Sequence, residues 1–321
     1  MARKFKHLTH EQRCQISFLK QRGSKKAAMA KELGVDRSTI GRELKRNSDK
    51  DRNYRGSDAH ERSTIRRRIS ASTKITPQLH EVIEEKLKLG WSPEQISGWI
   101  KQNGLAKISH VTIYTHIWQD KKFGGLWYTY LRHRGKKYNK KGKSSAGRGL
   151  IPGRVDIKER PAVVEEKSRF GDFELDTIIG GGHRGAIVSM VDRHSKYTKL
   201  IKVSQKTADE VKNAIIQELY PIREFVLTLT SDNGKEFAAH QEISKALEAQ
   251  FYFATPYHSW ERGLNEHTNG LVREYIPKGI DLLGISDEEI KRIEDLLNRR
   301  PRKILDFQTP LEVFDRLTKS A

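Results

Sequence analysis

Hydrophobic periodicity changes once along this chain, near residue 170, and the change excludes a single uniform architecture. Before it, apolar residues recur three and four apart, as on amphipathic helices; after it come short β-rich runs, then strands and helices in alternation. The expected fold is therefore multidomain: all-α N-terminal domains, followed by an α/β domain in which helices cover a mixed sheet. At 321 residues the chain has room for two or three such domains.

Residues 1–50 form the first expected domain. Cys14, Ile16, Phe18 and Leu19 predict a helix over 10–21, ended by Gly23, and Ala27, Ala28 and Ala30 predict a second over 25–32 with a turn at Gly34. Asp36 reads as the N-cap of a third helix, with Val35 and Ile40 as a hydrophobic staple and Leu44 continuing the face. Two helices joined by a short Gly-containing turn make a helix-turn-helix. The outward face of the third helix offers Arg37, Ser38, Thr39, Arg42 and Arg46, which suit base edges and phosphates.

A basic linker is expected over 51–73, with Arg66, Arg67 and Arg68 as further DNA-contacting candidates. A second trihelical, helix-turn-helix-like domain is expected over 74–130. There Thr76-Pro77 opens a helix to about Leu89, and Ser92 and Gln95 make a capping box stapled by Trp91 and Ile96. Ser109 then caps a helix through Trp118. That last helix carries Tyr114 and His116 but no Lys or Arg before Lys121, so DNA binding and a protein contact stand about level for it. A second basic, flexible linker is expected over 131–168; Lys136, Lys137, Lys140 and Lys141 lie in a stretch without acids and suit phosphate contacts.

Charge follows the same division. The chain holds 61 Lys and Arg against 41 Asp and Glu, a net of +20. Residues 1–170 hold 40 basic and 17 acidic residues and residues 171–321 hold 21 and 24, so the whole excess sits in the N-terminal part. A basic field of that size favours nucleic acid, because each phosphate neutralised by Lys or Arg releases condensed counterions. Cys14 is the single cysteine, which excludes an intrachain disulfide and a Cys-based zinc site. No apolar run approaches membrane-spanning length, and the first residues lack an apolar signal core; the expectation is a cytoplasmic chain without a membrane partner.

In the expected α/β domain, 169–321, Phe173–Ile179, Ala186–Val191, Thr198–Val203, Phe225–Thr230 and Phe251–Phe253 read as strands, with helices near 207–219, 239–248, 259–275, 286–299 and 309–317. Strand ends are where such sheets carry functional groups. Asp232 directly follows the fourth strand, although Asp232-Asn233-Gly234 also reads as a turn in which Asp serves local geometry. Glu266, Asn269, Gly270 and Arg273 share one helix face, and a mid-helix Gly, about 1 kcal/mol worse than Ala, suggests a close approach there. Asp172, Glu174 and Asp176 alternate onto one side of the first strand, so periodicity leaves all three open; Asp176 lies deepest in the apolar run. Carboxylates converging as Asp176, Asp232 and Glu266 would hold two Mg²⁺ ions about 3.5–4 Å apart for phosphoryl transfer, with Mn²⁺ as a substitute. Asn233, Asn269 and Arg273 would support the site, Arg273 by binding phosphate or bracing Glu266.

The run Asp176…Asp232-Asn-Gly…Glu266 resembles that of transposases and retroviral-type integrases with a three-carboxylate site on a ribonuclease H-like fold. More closely, the chain is identified as similar to the IS-thirty family of insertion-sequence transposases. The likeness lies in His7-Leu8-Thr9, Arg37-Ser38-Thr39-Ile40, Glu43-Leu44, Arg46-Asn47, Trp91-Ser92-Pro93-Glu94-Gln95-Ile96 and Asp176-Thr177-Ile178. It continues in Ser231–Phe237, Pro256–Glu266 and Asn298–Lys303. Phe173, Leu175 and His267 depart from the family's usual Trp, Gly and Asn. The resemblance implies binding to an element's terminal inverted repeats, cleavage at its ends and transfer of the 3′-hydroxyl ends into target DNA. Handling two ends at once implies a homodimer or larger assembly on DNA, in a bacterial cytoplasm and in association with the nucleoid. The rival from another class is a helix-turn-helix regulator whose catalytic domain is inactive. Among enzymes, a simple nuclease would cut without joining, and a retrovirus-type integrase would need a His/Cys zinc module that is absent here.

Overall fold

The computed structural model describes residues 7–49, 51, 53–72, 75–132, 151–255, 258, 261 and 263–319. Lys136, Lys137, Lys140 and Lys141 lie outside them, as does the side chain of Arg68. The chain forms two compact units, Met1–Glu81 and Val82–Ala321.

Unit one holds α1 (His10–Gln21), α2 (Lys26–Glu32), α3 (Arg37–Asn47) and α4 (Gly56–Ser72). Thr9 closes a capping box with Gln12, and the Asp36 carboxylate accepts from Ser38 N to start α3. Leu8, Ile16, Leu19, Met29, Ala30, Ile40, Tyr54 and Ala59 form its core. Ala27, Ala28 and Phe18, read from the sequence as inward apolar positions, are exposed. Their places in the interior are taken by Met29 and by a buried ion pair, Arg13 Nε to Glu43 Oε1 at 2.8 Å. Glu43 Oε1 also accepts from Asn47 Nδ2 at 2.7 Å and Tyr54 Oη at 3.0 Å, and Arg13 Nη1 donates to Leu8 O at 2.6 Å. Residues 56–72, expected within a linker, are helical. Gly56 lets α4 meet α1, since a Cβ there would stand 2.6 Å from Cys14 Cα.

Unit two begins inside α5 (Pro77–Lys88), followed by α6 (Pro93–Gln102) and α7 (His110–Lys122). Ser92 and Gln95 form the capping box and Ser109 caps α7, both as the sequence predicts. This helical segment is tied to the C-terminal part of the same unit. Gln95 Nε2 donates to Pro301 O at 2.8 Å, Arg300 Nε donates to Gln95 Oε1 at 3.0 Å, and Lys303 pairs with Glu94 at 2.7 Å. Two motifs more than 200 residues apart thus touch one another.

After the short α8 (Val163–Glu166) comes a five-stranded sheet: β1 (Asp172–Ile179), β2 (Ala186–Asp192), β3 (Thr198–Val203), β4 (Thr228–Ser231) and β5 (Gln250–Phe253). Its order is β3-β2-β1-β4-β5, antiparallel across β1–β2–β3 and parallel across β1–β4–β5. The fourth strand is shorter than predicted, because Tyr220–Phe225 coils as a 3₁₀ turn and pairing with β1 begins only at Thr228. Helices α9 (Ala208–Leu219) and α10 (His240–Leu247) cover the face of Phe173, Leu175, Val188, Met190 and Leu229. The opposite face, with Ile178, Ile187 and Leu200, lies under α11 (Gly263–Tyr275) and α12 (Asp287–Asn298), and α13 (Pro310–Lys319) ends the chain. The result is an N-terminal helix-turn-helix domain and a ribonuclease H-like, integrase-type core built on a mixed sheet. Among the described residues no helix is long and apolar enough to cross a membrane.

Candidate active site

The three acids left open on β1 have different surroundings. Asp172 is buried against Arg169, at 3.0 Å to both Nε and Nη2, and accepts from Thr228 Oγ1 at 2.8 Å. Glu174 is buried against Arg193 Nη1 at 3.0 Å. A buried carboxylate needs such a cation or several donors. Asp176 is half-buried, and Asn269 Nδ2 donates to its Oδ2 at 2.7 Å. The amide is oriented from its other end by Ser189, whose hydroxyl donates to Asn269 Oδ1 at 3.1 Å.

Glu174 pairs with Thr230 across the parallel β1–β4 ladder. Carried two residues further, that register puts Asp176 level with Asp232. Asp232 has the turn role its Asn-Gly context suggests, since its Oδ1 accepts from Gly234 N at 2.9 Å. Asn233 is buried; its Nδ2 donates to Ala254 O at 2.6 Å and its Oδ1 accepts from Arg154, tying the end of β4 to the chain leaving β5.

Helix α11 lies along β1 through three polar contacts one turn apart. Asn265 Nδ2 donates to Leu175 O at 3.1 Å, Asn269 to Asp176, and Arg273 Nη2 to Ile179 O at 2.7 Å. Glu266 is exposed on the first turn of this helix, one turn before Asn269. Arg273 is thereby bound to backbone carbonyls, with Pro277 O as its second acceptor at 3.4 Å. Asn265 is a positioning residue that the sequence reading passed over. Polar residues at 265, 269 and 273 on an otherwise amphipathic helix were the available signal.

The close approach expected at Gly270 is made by Arg132. A Cβ at Gly270 would stand 3.1 Å from Arg132 Nη2, and Arg132 is held there by an ion pair to Glu274 at 2.8 Å. Glu274 also pairs with Arg300 at 3.0 Å. His267, beside Glu266, is pushed below the ordinary imidazole range by burial first and then by Arg302, Arg132 and Arg300.

Among the described residues no three His, Cys, Asp or Glu side chains are gathered closely enough to hold a metal ion. Continuing the β1–β4 register, Asp176 within β1 lies level with Asp232 just past the end of β4, and Asn269 links Asp176 to the helix of Glu266. As donors, three carboxylates have the hard oxygen chemistry that suits a divalent cation such as Mg²⁺.

Of the candidates on unit one, Arg37, Ser38, Arg42 and Arg46 are exposed and Thr39 is half-buried; Arg42 Nη2 donates to Ser38 Oγ at 2.9 Å. Arg67 is exposed. Arg66 caps the end of α3, donating to Asn47 Oδ1 and, at 3.4 Å, to Arg46 O.

A family model for a helix-turn-helix domain matches residues 4–47, and one for an integrase core domain matches residues 169–259, a span that holds Asp176 and Asp232 and stops before Glu266. Among similar proteins is the transposase for insertion sequence element IS4351 of Bacteroides fragilis, 48% identical over 314 residues, covering 97% of this chain and 96% of that protein. The chain belongs to the IS-thirty family of insertion-sequence transposases. Transposase InsI for insertion sequence element IS30A of Escherichia coli (strain K12) is 32% identical over 90% of this transposase and 78% of its own length. The transposase for insertion sequence element IS1086 of Cupriavidus metallidurans is 36% identical over 97% and 94% of the two chains. The catalytic core domain of BIV integrase covers 47% of this transposase and 99% of its own chain at 22% identity, with a TM-score of 0.37.

Proposed function

We propose that this transposase binds the terminal inverted repeats of its insertion sequence, cuts at the element ends and joins the freed 3′-hydroxyl ends to target DNA. The observation that carries the proposal is the amide bridge from Asn269 to Asp176, which couples the helix bearing Glu266 to β1 at the level of Asp232. Asp176, Asp232 and Glu266 would hold Mg²⁺, two ions with Mn²⁺ as a substitute; bound there, the metal lowers the pKa of an attacking oxygen and stabilises charge on the leaving oxygen. The chain's own part is positioning. Asn269 fixes the Asp176 carboxylate, Asn233 and the Gly234 N–H fix the loop of Asp232, and Arg273 and Asn265 hold α11 along β1.

DNA recognition falls to the helical parts, residues 1–50 and the second helical segment packed with the core, with the basic stretch 132–148 on the phosphate backbone. Residues 151–168, expected within a flexible linker, instead pack against the core through Ile151, Ile157 and Val164. On α3, Arg37, Ser38, Arg42 and Arg46 read the repeat, while Arg66 stabilises that helix and leaves Arg67 for phosphate. Two ends are handled by a homodimer or larger assembly, in the cytoplasm with the nucleoid.

Strand transfer on oligonucleotides carrying the repeat ends, run with Mg²⁺ and with EDTA, tests the reading. Wild type yields joined products only with Mg²⁺, and Glu266→Gln yields none while binding the ends normally. Binding of the ends by wild type without cutting or joining would instead make the chain a DNA-binding regulator.

A further inference from the structure

On the sheet face that carries Asp176, a cavity of about 630 Å³ opens beside α11, and the catalytic proposal gives it no task. Arg193, Lys196 and Arg302 line it, with Leu264, Leu271 and Ile304 as apolar wall. Its charges are unevenly matched. Glu165 and Glu174, also in the lining, are engaged by arginines: Arg193 reaches both at 3.0 Å and Arg160 takes Glu165 as well. The third acid of the lining, Glu261, accepts from Thr255 N at 2.8 Å and lies 3.2 Å from His258 Nδ1.

Arg193 is thus doubly ion-paired, whereas Lys196 and Arg302 are less well served. Arg193 is buried, and its Nε, like that of Arg302, is a buried donor without a hydrogen-bond partner among the described residues. Lys196 sits in a left-handed turn conformation, φ 62°, in a loop that Asp192 fixes by accepting from Ser195 N at 2.6 Å and Ser195 Oγ at 2.8 Å. Its ammonium donates to Arg193 O, and no described carboxylate lies within ion-pair distance of Lys196 or Arg302. Burial first, and then the neighbouring Lys167 charge, pushes Lys196 down to about 8; burial first, and then Arg300, pushes Arg302 down to about 10. Desolvated cations and two guanidinium donors without a hydrogen-bond partner among the described residues leave the cavity suited to a further anion beside Glu165, Glu174 and Glu261. Its volume lies within the range of pockets that hold ligands of nucleotide size.

We propose that this cavity binds a phosphorylated ligand of nucleotide size, its phosphate received by Lys196, Arg193 and Arg302 and its apolar part by Leu271 and Ile304. Two sources carry this chemistry: a nucleotide of the DNA substrate, since Glu174 is one same-face step, roughly 7 Å, from Asp176 along β1, or a free nucleotide. The site is read without metal or catalysis, so its test is independent of the strand-transfer result.

The experiment is thermal unfolding of the full-length protein in EDTA at fixed ionic strength, titrated with deoxyadenosine monophosphate or inorganic phosphate and compared with added KCl. The expected result is a saturable rise in Tm with the nucleotide that KCl does not reproduce. Lys196→Met is expected to weaken the apparent affinity at least tenfold. Ile304→Glu places an acid at the rim, where the side chain is 73% exposed, and so weakens binding without lowering the ligand-free Tm. If prior binding of repeat-end DNA abolishes the nucleotide shift, the substrate strand fills the site; if the shift persists, a free nucleotide does. A nucleotide shift no larger than that of KCl overturns the proposal, and so does an undiminished shift in Ile304→Glu.

Discussion

Asn269 holds the Asp176 carboxylate by an amide hydrogen bond of 2.7 Å, as arginines hold the two carboxylates before it on β1. If Asp176 is a metal ligand, Asn269 is its orienting partner, and removal of such partners typically lowers activity about 10–100-fold. Asn269→Ala is therefore expected to slow single-turnover strand transfer by that factor while gel-shift affinity for the repeat ends stays within about twofold. An equal loss of both would place Asn269 in DNA binding instead. The residue scale also marks where sequence reading stops. Alternation put Asp172, Glu174 and Asp176 on one side of the strand, but the choice among them depends on Arg193 and Asn269, which are distant in sequence and brought near only by the fold. Asp232 was legible as a candidate because it follows a strand directly, and Glu266 because it shares a helix face with Asn269, Gly270 and Arg273. Whether the acids close on one another was not, because that is set by side-chain placement.

At the scale of elements, two glycines act differently. Gly270 lies within α11, where Ala is favoured by about 1 kcal/mol, and its nearest obstacle is the half-exposed end of Arg132, 3.1 Å from the added Cβ. A flexible side chain can give way, so Gly270→Ala is expected to stabilise unit two by up to about 1 kcal/mol. Gly56 begins α4, and its added Cβ would meet the backbone of Cys14 at 2.6 Å. Backbone cannot move aside without shifting a helix, so Gly56→Ala is expected to destabilise unit one by about 1–3 kcal/mol. Denaturant unfolding of both variants checks the pair; a destabilised Gly270→Ala would mean that Arg132 is fixed more firmly than its exposure suggests. The same helix explains a difference from the sequence reading. Most elements were predictable from caps and apolar spacing, but α4 has no apolar stripe. Polar clamps hold it instead: Arg13 to Ser63 at 3.2 Å, Arg62 to Asn47 O at 3.0 Å, and Arg66 to Asn47. Hydrophobic periodicity does not register such contacts.

For the whole molecule, the division into two units puts the second helical segment with the catalytic core. Residues 82–130 meet the C-terminal stretch through Gln95, Glu94 and Gly98, and a Cβ on Gly98 would overlap the Phe307 ring at 2.2 Å. Sequence reading marked the Trp91–Ile96 and Asn298–Lys303 motifs separately, because nothing in either announces the other as its partner. Calorimetry of the full chain tests whether this division is also thermodynamic. Two transitions are expected. Glu43→Ala leaves Arg13 buried without its carboxylate, a loss of about 3–5 kcal/mol for a broken buried pair, and should lower only the transition of unit one. Gly98→Leu forces α6 away from Phe307 and should lower only the other. Because the helical segment and the catalytic core share that second unit, Gly98→Leu should shift it as one cooperative step. A new third transition in that variant would show that residues 82–130 fold on their own and merely rest against the core.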